Sequence, residues 1–160
     1  MVYRLRQHTF LSVVFLFLSA AVWSADNSFV GTWKLNVDKS QVSSRKPPAG
    51  RTTRIEAEGK DMVLTLEGGG IRTAQTQRLV FDGREHPTDS TPLVKLTDAT
   101  SVAYTHTSSD EIEAQYKKDG KVVATQKRKI SENGRVLTST MEGSSADGKK
   151  FREVFVYEKQ

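Results

Sequence analysis

The chain of 160 residues contains no cysteine, which excludes disulfide bonds, thiolate metal ligands and a cysteine nucleophile. Histidine is also scarce, with three residues in all. His86 lies in a segment flanked by proline and is expected to be solvated, whereas His106 shares a strand face with Val102 and Tyr104. A zinc site needs three or four converging ligands, and no His/Asp spacing here supplies them. We expect no metal, no cofactor and no catalytic residues, and therefore a protein that is not an enzyme.

Excess charge of one sign is also small. The whole chain carries a formal net charge of +5, and residues 26–160 hold 22 basic against 19 acidic residues, or +3. The basic residues are spread along the chain, and the densest cluster, Lys127-Arg128-Lys129, alternates between the two faces of a strand. Without a basic run interleaved with aromatic residues, nucleic acid is not an expected partner.

Long apolar runs are limited to the first residues. Arg4 and Arg6 precede an apolar run at residues 10–22, and small residues follow, which is the pattern of a secretory signal peptide. The run is shorter than the ~20 apolar residues of a membrane span. We predict a signal peptide at residues 1–25 with cleavage near Ser24/Ala25, and a secreted or periplasmic protein without a membrane span. An uncleaved anchor is the alternative.

The remaining residues, 26–160, suffice for one domain, which begins with Phe29-Val30-Gly31-Thr32-Trp33-Lys34-Leu35. Phe29, Gly31, Trp33 and Leu35 recur at spacing two and so share one face of a predicted strand. Gly31 allows another segment to approach closely, and Trp33 offers a large apolar body with one N–H donor. This strand is expected to plug one end of a barrel.

Turn signals divide the rest of the domain into strands. Residues 37–51, with Pro47-Pro48-Ala49-Gly50, are predicted to be a connection, and strands follow from Thr52 onward. Asp119-Gly120, Asn133-Gly134 and Asp147-Gly148 recur every fourteen residues and predict hairpins between strands at 111–118, 122–131, 136–143 and 150–158. Residues 93–96 are predicted as a short strand. Residues 71–82 form a polar strand that either lines a wet cavity or lies at an exposed edge.

About nine or ten strands and no helix follow from these signals. They predict an all-β domain, a single antiparallel up-and-down β-barrel of about 8–10 strands, because closure of a long meander removes its exposed edges. A two-sheet sandwich is the alternative architecture.

Several stretches of the sequence resemble known families. Gly31-Thr32-Trp33 is similar to the lipocalin motif, and the whole first strand resembles that of intracellular fatty-acid-binding proteins. Lys118-Asp119-Gly120-Lys121, Gln126-Lys127-Arg128-Lys129 and Val156-Tyr157-Glu158 resemble the last strands of the same proteins. The layout of residues 26–160 is also similar to small secreted bacterial proteins of lipocalin-like (calycin) type. The short, proline-interrupted segment 37–51 implies that the two lid helices of fatty-acid-binding proteins are absent.

The resemblance implies a candidate ligand site. In fatty-acid-binding proteins an Arg and a Tyr two residues apart on the last strand, with an Arg from an earlier strand, hold the ligand carboxylate. Tyr157 keeps the tyrosine position, Phe155 replaces the arginine, and the earlier arginine falls on Lys127 or, if the register slips by one, on Arg128. The lost arginine makes a neutral or aromatic ligand at least as plausible as a carboxylate. Arg128 or Arg152 could instead cover the Trp33 ring, as a basic residue does in lipocalins.

The predicted function is that of a secreted, monomeric binding protein for a small hydrophobic or amphipathic molecule held inside the barrel. The alternative is a packed barrel without a ligand that acts through a protein partner. The predicted inner wall comprises Leu35, Leu64, Tyr104, Tyr116 and Tyr157.

Overall fold

A computed structural model describes residues 27–43, 46–88 and 91–160. The predicted signal peptide, residues 1–25, lies outside the described residues. The described part is all-β, as predicted, with one short helix. Its elements are β1 (Gly31–Val42), β2 (Thr52–Glu58), β3 (Asp61–Gly68), β4 (Ile71–Leu79), β5 (His86–Pro87), α1 (Pro92–Thr97), β6 (Ser101–Ser108), β7 (Glu111–Lys118), β8 (Lys121–Ser131), β9 (Val136–Ser144) and β10 (Lys150–Lys159).

All ten strands form one antiparallel sheet in the order β4-β3-β2-β1-β10-β9-β8-β7-β6-β5. Consecutive strands pair with each other except β4 and β5, which are the two outer strands of the sheet. In addition β1 pairs with β10, so that Leu35 lies opposite Tyr157. This connectivity is the predicted up-and-down meander. Because there is one curled sheet, the sandwich alternative is wrong.

Side chains join the two ends of the sheet. Among the described residues, β4 and β6 are not hydrogen-bonded neighbours. The Phe81 ring, just beyond β4, stacks on His106 of β6 with centroids 4.1 Å apart and meets the Tyr104 ring edge-on at 6.2 Å. Further along, Gln77 Nε2 donates a hydrogen bond to the Tyr116 hydroxyl at 3.3 Å. We call this side-chain junction between β4 and the β6–β7 hairpin the seam.

One end of the barrel is packed around Trp33, as the first strand predicted. Trp33 and Phe29 are both fully buried, and the indole Nε1 donates to the Phe29 carbonyl at 2.9 Å, which satisfies the one polar atom of the ring. Lys159 Nζ lies 5.1 Å from the indole centroid. The cation over Trp33 is therefore Lys159, and the prediction of Arg128 or Arg152 in this role is wrong. A Cβ at Gly31, whose φ is +142°, would lie 2.7 Å from Lys159 Cε, so glycine makes room for the lysine stem.

Strand β1 continues further than the sequence predicted. Residues 37–42 belong to β1 and not to the connection, because a wide bulge between Asn36 and Gln41 lets the strand resume pairing with β10. Ser40 fills the bulge: its hydroxyl donates to the Asn36 carbonyl at 2.6 Å and accepts from the Val156 amide at 3.0 Å. The described residues between β1 and β2 contain no helix, in agreement with the expected absence of a lid there.

The helix α1 stands where a strand was predicted at residues 93–96. The Thr91 side chain caps it by accepting from the Val94 amide at 3.3 Å, Pro92 occupies its first turn, and Asp98 ends it in the left-handed conformation with φ 53°. Pro92 suits a first helical turn, because an N–H group at this position would have no acceptor within the helix and its absence loses no hydrogen bond. A four-residue segment with three apolar residues is ambiguous between strand and helix, and the cap at Thr91 favours the helix.

Candidate functional site

An interior cavity of about 320 Å³ lies between the packed end and α1. That volume equals the space taken by about ten water molecules in the liquid, and it stands at the lower end of small-molecule sites. Its wall has an apolar part from β3, β9, β10 and α1 and a polar part from β2, β4, β7, β8, β9 and β10. The apolar lining residues are Leu64, Leu66, Pro92, Leu93, Leu96, Leu137, Met141 and Phe155.

The first polar feature of the wall is a cluster that we call the arginine pole, made of Arg51, Arg128 and Tyr157. All three side chains are at most 7% exposed. Burial raises the pKa of the Tyr157 hydroxyl, whereas the neighbouring Thr53 hydroxyl and the positive charges of Arg51 and Arg128 oppose that rise. Tyr157 therefore stays a neutral hydroxyl beside two guanidinium groups.

The arginine pole has donors without acceptors. Arg51 Nε and Arg128 Nη1 are buried and have no hydrogen-bond partner among the described residues. The Arg51 guanidinium lies 5.9 Å from the centre of the Phe155 ring, which holds it against an apolar surface. A buried cation that lacks part of its hydrogen bonding destabilises the folded protein, because the free energy of its desolvation is not offset. An anion bound in the cavity would offset it.

The cavity wall as a whole carries more positive than negative charge, as the arginine pole does. Three lining residues are basic, namely Arg51, Lys95 and Arg128, and one is acidic, Glu153. Lys95 is exposed to solvent, so the buried charges of the wall are those of Arg51, Arg128 and Glu153, with two positive against one negative. In such surroundings a charge-assisted hydrogen bond to a carboxylate or phosphate is stronger than it is in bulk solvent.

A row of hydrogen-bonded polar side chains, which we call the polar ladder, runs across the wall from β9 to β4. Gln126 Nε2 donates to Ser139 Oγ at 2.9 Å, the Tyr116 hydroxyl donates to Gln126 Oε1 at 3.3 Å, and Gln77 Nε2 donates to that hydroxyl at 3.3 Å. Each of the four residues is at most 7% exposed and lines the cavity. Ser139 lies opposite Arg128 in the β8–β9 register, so the ladder begins beside the arginine pole.

The helix α1 forms the roof of the cavity. Leu93 is 7% exposed, while Leu96 is 37% exposed and contacts both cavity and solvent. The Ala146 amide in the β9–β10 turn donates to the Leu96 carbonyl at 2.9 Å, and this bond ties the helix to that hairpin. The roof is a six-residue helix whose Leu93 and Thr97 side chains are buried.

The structure brings together Tyr157, Arg128 and Tyr116 of the predicted site residues. Lys127 lies on the outer face of β8, where its Nζ is 3.5 Å from Glu113, so the register that would place it inside is wrong. Tyr104 is 2% exposed, but it packs near the seam and is not among the cavity-lining residues. Leu35 likewise is buried in the core and does not line the cavity, whereas the predicted Leu64 does.

Sequence reasoning missed Arg51, Gln126 and Ser139. Arg51 precedes β2 in a segment without periodicity, and it is placed by the Leu35 amide, which donates to the Arg51 carbonyl at 2.9 Å. Gln77 belongs to the strand for which a wet cavity and an exposed edge were both considered. Each description holds for part of β4: Gln77 and Leu79 are buried, whereas Arg72, Thr73, Ala74, Thr76 and Arg78 are exposed.

Metal ligands, membrane-spanning helices and the position of His106 also bear on the kind of site. The described residues contain no group of three or more His, Cys, Asp or Glu side chains arranged to hold a metal ion. In the same part of the chain, no helix is long and apolar enough to cross a membrane. His106 is exposed on β6 and does not point into the cavity as its strand face suggested.

The curled ten-stranded meander with an interior cavity defines a lipocalin-like, or calycin, fold. Among solved structures, the zebrafish ileal bile acid-binding protein in complex with cholic acid is similar, with 14% identity, 83% of this chain and 99% of that chain covered, and a TM-score of 0.56. A fatty acid binding protein from Schistosoma mansoni in complex with arachidonic acid is 12% identical over 83% of this chain and 96% of that one, with a TM-score of 0.54.

A secretory abundant heat soluble protein from Ramazzottius varieornatus is 11% identical over 84% of this chain and 96% of that one, with a TM-score of 0.60. No protein-family model matches the chain. No curated protein sequence matches it either. At these identities the likeness establishes the fold, while the chemistry of the site rests on the residues of this chain.

Proposed function

We propose that this protein binds a small amphipathic molecule with an anionic group inside the barrel and acts as a carrier, not as an enzyme. The observation that supports this most directly is the arginine pole, in which Arg51 Nε and Arg128 Nη1 are buried without acceptors beside the Tyr157 hydroxyl. The leucines, Met141 and Phe155 of the same wall suit an apolar body. Similar solved structures hold cholic acid and arachidonic acid, which each combine an apolar body with a carboxylate.

The arginine pole also revises the expected ligand. Phe155 stands where fatty-acid-binding proteins carry an arginine, and on that ground a neutral or aromatic ligand was at least as plausible. Arg51, the residue before β2, brings a second guanidinium to Tyr157 and lies against the Phe155 ring. A carboxylate could therefore be held by two arginines and a tyrosine. Arg51 would replace the last-strand arginine of fatty-acid-binding proteins, although it comes from a different part of the chain.

We further propose that residues 1–25 direct export and are removed, so that the carrier works outside the cytoplasm. Intact mass measurement of the protein purified from its own host tests this. A mass that corresponds to a chain starting at Ala25 or Asp26 is expected, and a mass that includes residues 1–24 would contradict cleavage.

The proposed function is tested by native mass spectrometry of that sample, with an organic extract analysed beside it. A discrete adduct is expected in wild type and Lys127→Met, and its loss is expected in Arg128→Met. Lys127 is the matched control, since it is the next residue of the same strand but faces outward.

Calorimetric titration with decanoate, whose chain of about ten carbons suits the volume of the cavity, gives a second readout. Wild-type protein that binds neither decanoate nor hydroxylated decanoates would contradict the carrier function. The alternative, a barrel that acts through a protein partner, would then be favoured.

A further inference from the structure

The polar ladder has hydrogen-bonding capacity that the protein does not use. Each glutamine amide carries two N–H donors. Gln77 and Gln126 each donate one of them within the ladder, and among the described residues neither amide group makes a hydrogen bond outside the ladder. Both side chains are at most 7% exposed and border the cavity. A ligand that fills the cavity would cut these groups off from solvent.

A plain alkyl chain is a poor occupant of this part of the cavity. Buried polar groups that lose water without gaining a partner lower affinity, whereas a hydroxyl or carbonyl at the same place restores the hydrogen bonds. Sites lined in this way discriminate strongly against analogues that lack the polar group. The ladder crosses four strands, β9, β8, β7 and β4, so a ligand anchored at the arginine pole meets it along its length.

A purely structural role explains less of the arrangement. The bond between Gln77 and Tyr116 does tie the seam, but two of the three ladder bonds are as long as 3.3 Å. The aromatic contacts of Phe81 already join the same two ends of the sheet. Apolar residues in place of Gln126 and Ser139 would pack the wall without leaving donors directed at a cavity.

We propose that the polar ladder is a second recognition subsite, which selects ligands that carry an uncharged hydroxyl or carbonyl group on the apolar body in addition to the anionic group. This inference rests on the proposed function and narrows its ligand class to hydroxylated or oxidised amphipathic acids. The arginine pole sets the position of the anion. The polar ladder forms hydrogen bonds with the second group through Gln77, Tyr116, Gln126 and Ser139.

The test compares decanoate with a positional series of hydroxydecanoates by calorimetric titration of the mature protein. At least one isomer is expected to bind wild type about five- to tenfold more tightly than decanoate, the effect of one additional hydrogen bond. The preference is expected to disappear in Tyr116→Phe and in Gln126→Leu, because the hydroxyl group of the ligand loses its partner and decanoate no longer removes water from that polar group. Gln115→Leu is the control, since Gln115 neighbours Tyr116 on β7 but is exposed and donates to Glu113.

The outcomes separate the two proposals. If decanoate binds but no isomer is preferred, or the preference persists in both ladder variants, the second subsite is refuted and the carrier function stands. If hydroxydecanoates bind and decanoate does not, both proposals are supported. If none of these acids binds, both are refuted. Tyr116→Phe removes a single oxygen, so a result is obtained even if Gln126→Leu does not fold.

Discussion

Lys127 and Arg128 are consecutive residues of β8 whose side chains lie on opposite faces of the sheet. The Lys127 side chain is 55% exposed, with Nζ 3.5 Å from Glu113, whereas Arg128 is 5% exposed and lines the cavity. The period of two along a strand turns a shift of one residue into a change of side. Which of the two cations meets the ligand is thus decided by register, and they form a natural pair for mutagenesis.

Arg128→Met is expected to stabilise the free protein while it weakens binding. The substitution removes a buried, incompletely bonded charge, which should raise the free energy of unfolding by about 1 kcal/mol or more and the Tm by about 2–4 °C. It also removes a charge-assisted bond, so decanoate affinity should fall by about tenfold or more. Thermal unfolding and calorimetric titration measure the two effects.

Lys127→Met serves as the control for this pair and should change both quantities little, because exposed ion pairs contribute about 0–1 kcal/mol. A fall in the Tm of Arg128→Met would indicate that the guanidinium is part of the structural framework and not a ligand-binding group.

Gly31→Ala is expected to destabilise the packed end by about 1–3 kcal/mol. The φ of +142° is unfavourable for alanine, and the added Cβ would approach Lys159 Cε to 2.7 Å. Urea unfolding measures the loss. Lys159→Ala removes the close contact but not the backbone strain, so the double variant separates the two causes. Equal stability of Gly31→Ala and wild type would show that β1 can adjust here.

The turns explain why most strands could be predicted from the sequence. The predicted strands between the three hairpin turns differ from β7 to β10 by at most one residue at either end. Asp119 and Gly120 have positive φ, as do Asn133 and Gly134. Tight hairpin turns require this conformation, and Asp-Gly and Asn-Gly pairs predict it. These boundaries depend on local conformation, and local sequence is sufficient to specify them.

The cavity could be predicted only in part, because its walls depend on contacts between distant segments. Arg51 acquires its role from pairing with β1, and the ladder joins β4 to β7 across the seam. The four residues of the ladder come from four strands, and no single stretch of sequence brings any two of them together except through the barrel. Tyr157 was found because the last strand resembles that of a known family.

His106 at the seam is expected to make stability depend on pH. His106 is exposed as a whole, but the Phe81 ring stacks on its imidazole, and the partial desolvation of the imidazole lowers the pKa of His106. The unfolded chain then binds a proton more readily than the folded chain. Stability should therefore fall as the pH drops from the unfolded His value of about 6.5 toward the lowered folded value.

His106→Phe should keep the ring contact and remove this component, as measured by urea unfolding at about pH 7.5 and about pH 5.5. His86→Asn is the comparison, since His86 lies away from the Phe81 stack and pairs with Asp82 at 2.9 Å. An unchanged pH dependence in His106→Phe would show that His106 is not responsible.

Leu96→Ser is expected to weaken decanoate binding several-fold with little change in folding stability. Leu96 is 37% exposed yet lines the cavity from the roof, so its burial against a ligand is worth more than its burial in the free protein. Removing that apolar contact should lower affinity by about 1 kcal/mol, or roughly fivefold.

Val122→Ser is the matched control, because Val122 is 51% exposed at the start of β8 and does not line the cavity. Both variants should unfold near the wild-type temperature, and only Leu96→Ser should bind decanoate more weakly. If decanoate dissociates faster from Leu96→Ser while its association rate is unchanged, α1 acts as a contact surface. A faster association in the variant would instead show that the leucine obstructs entry, because the transition to the bound state then requires less displacement of the roof.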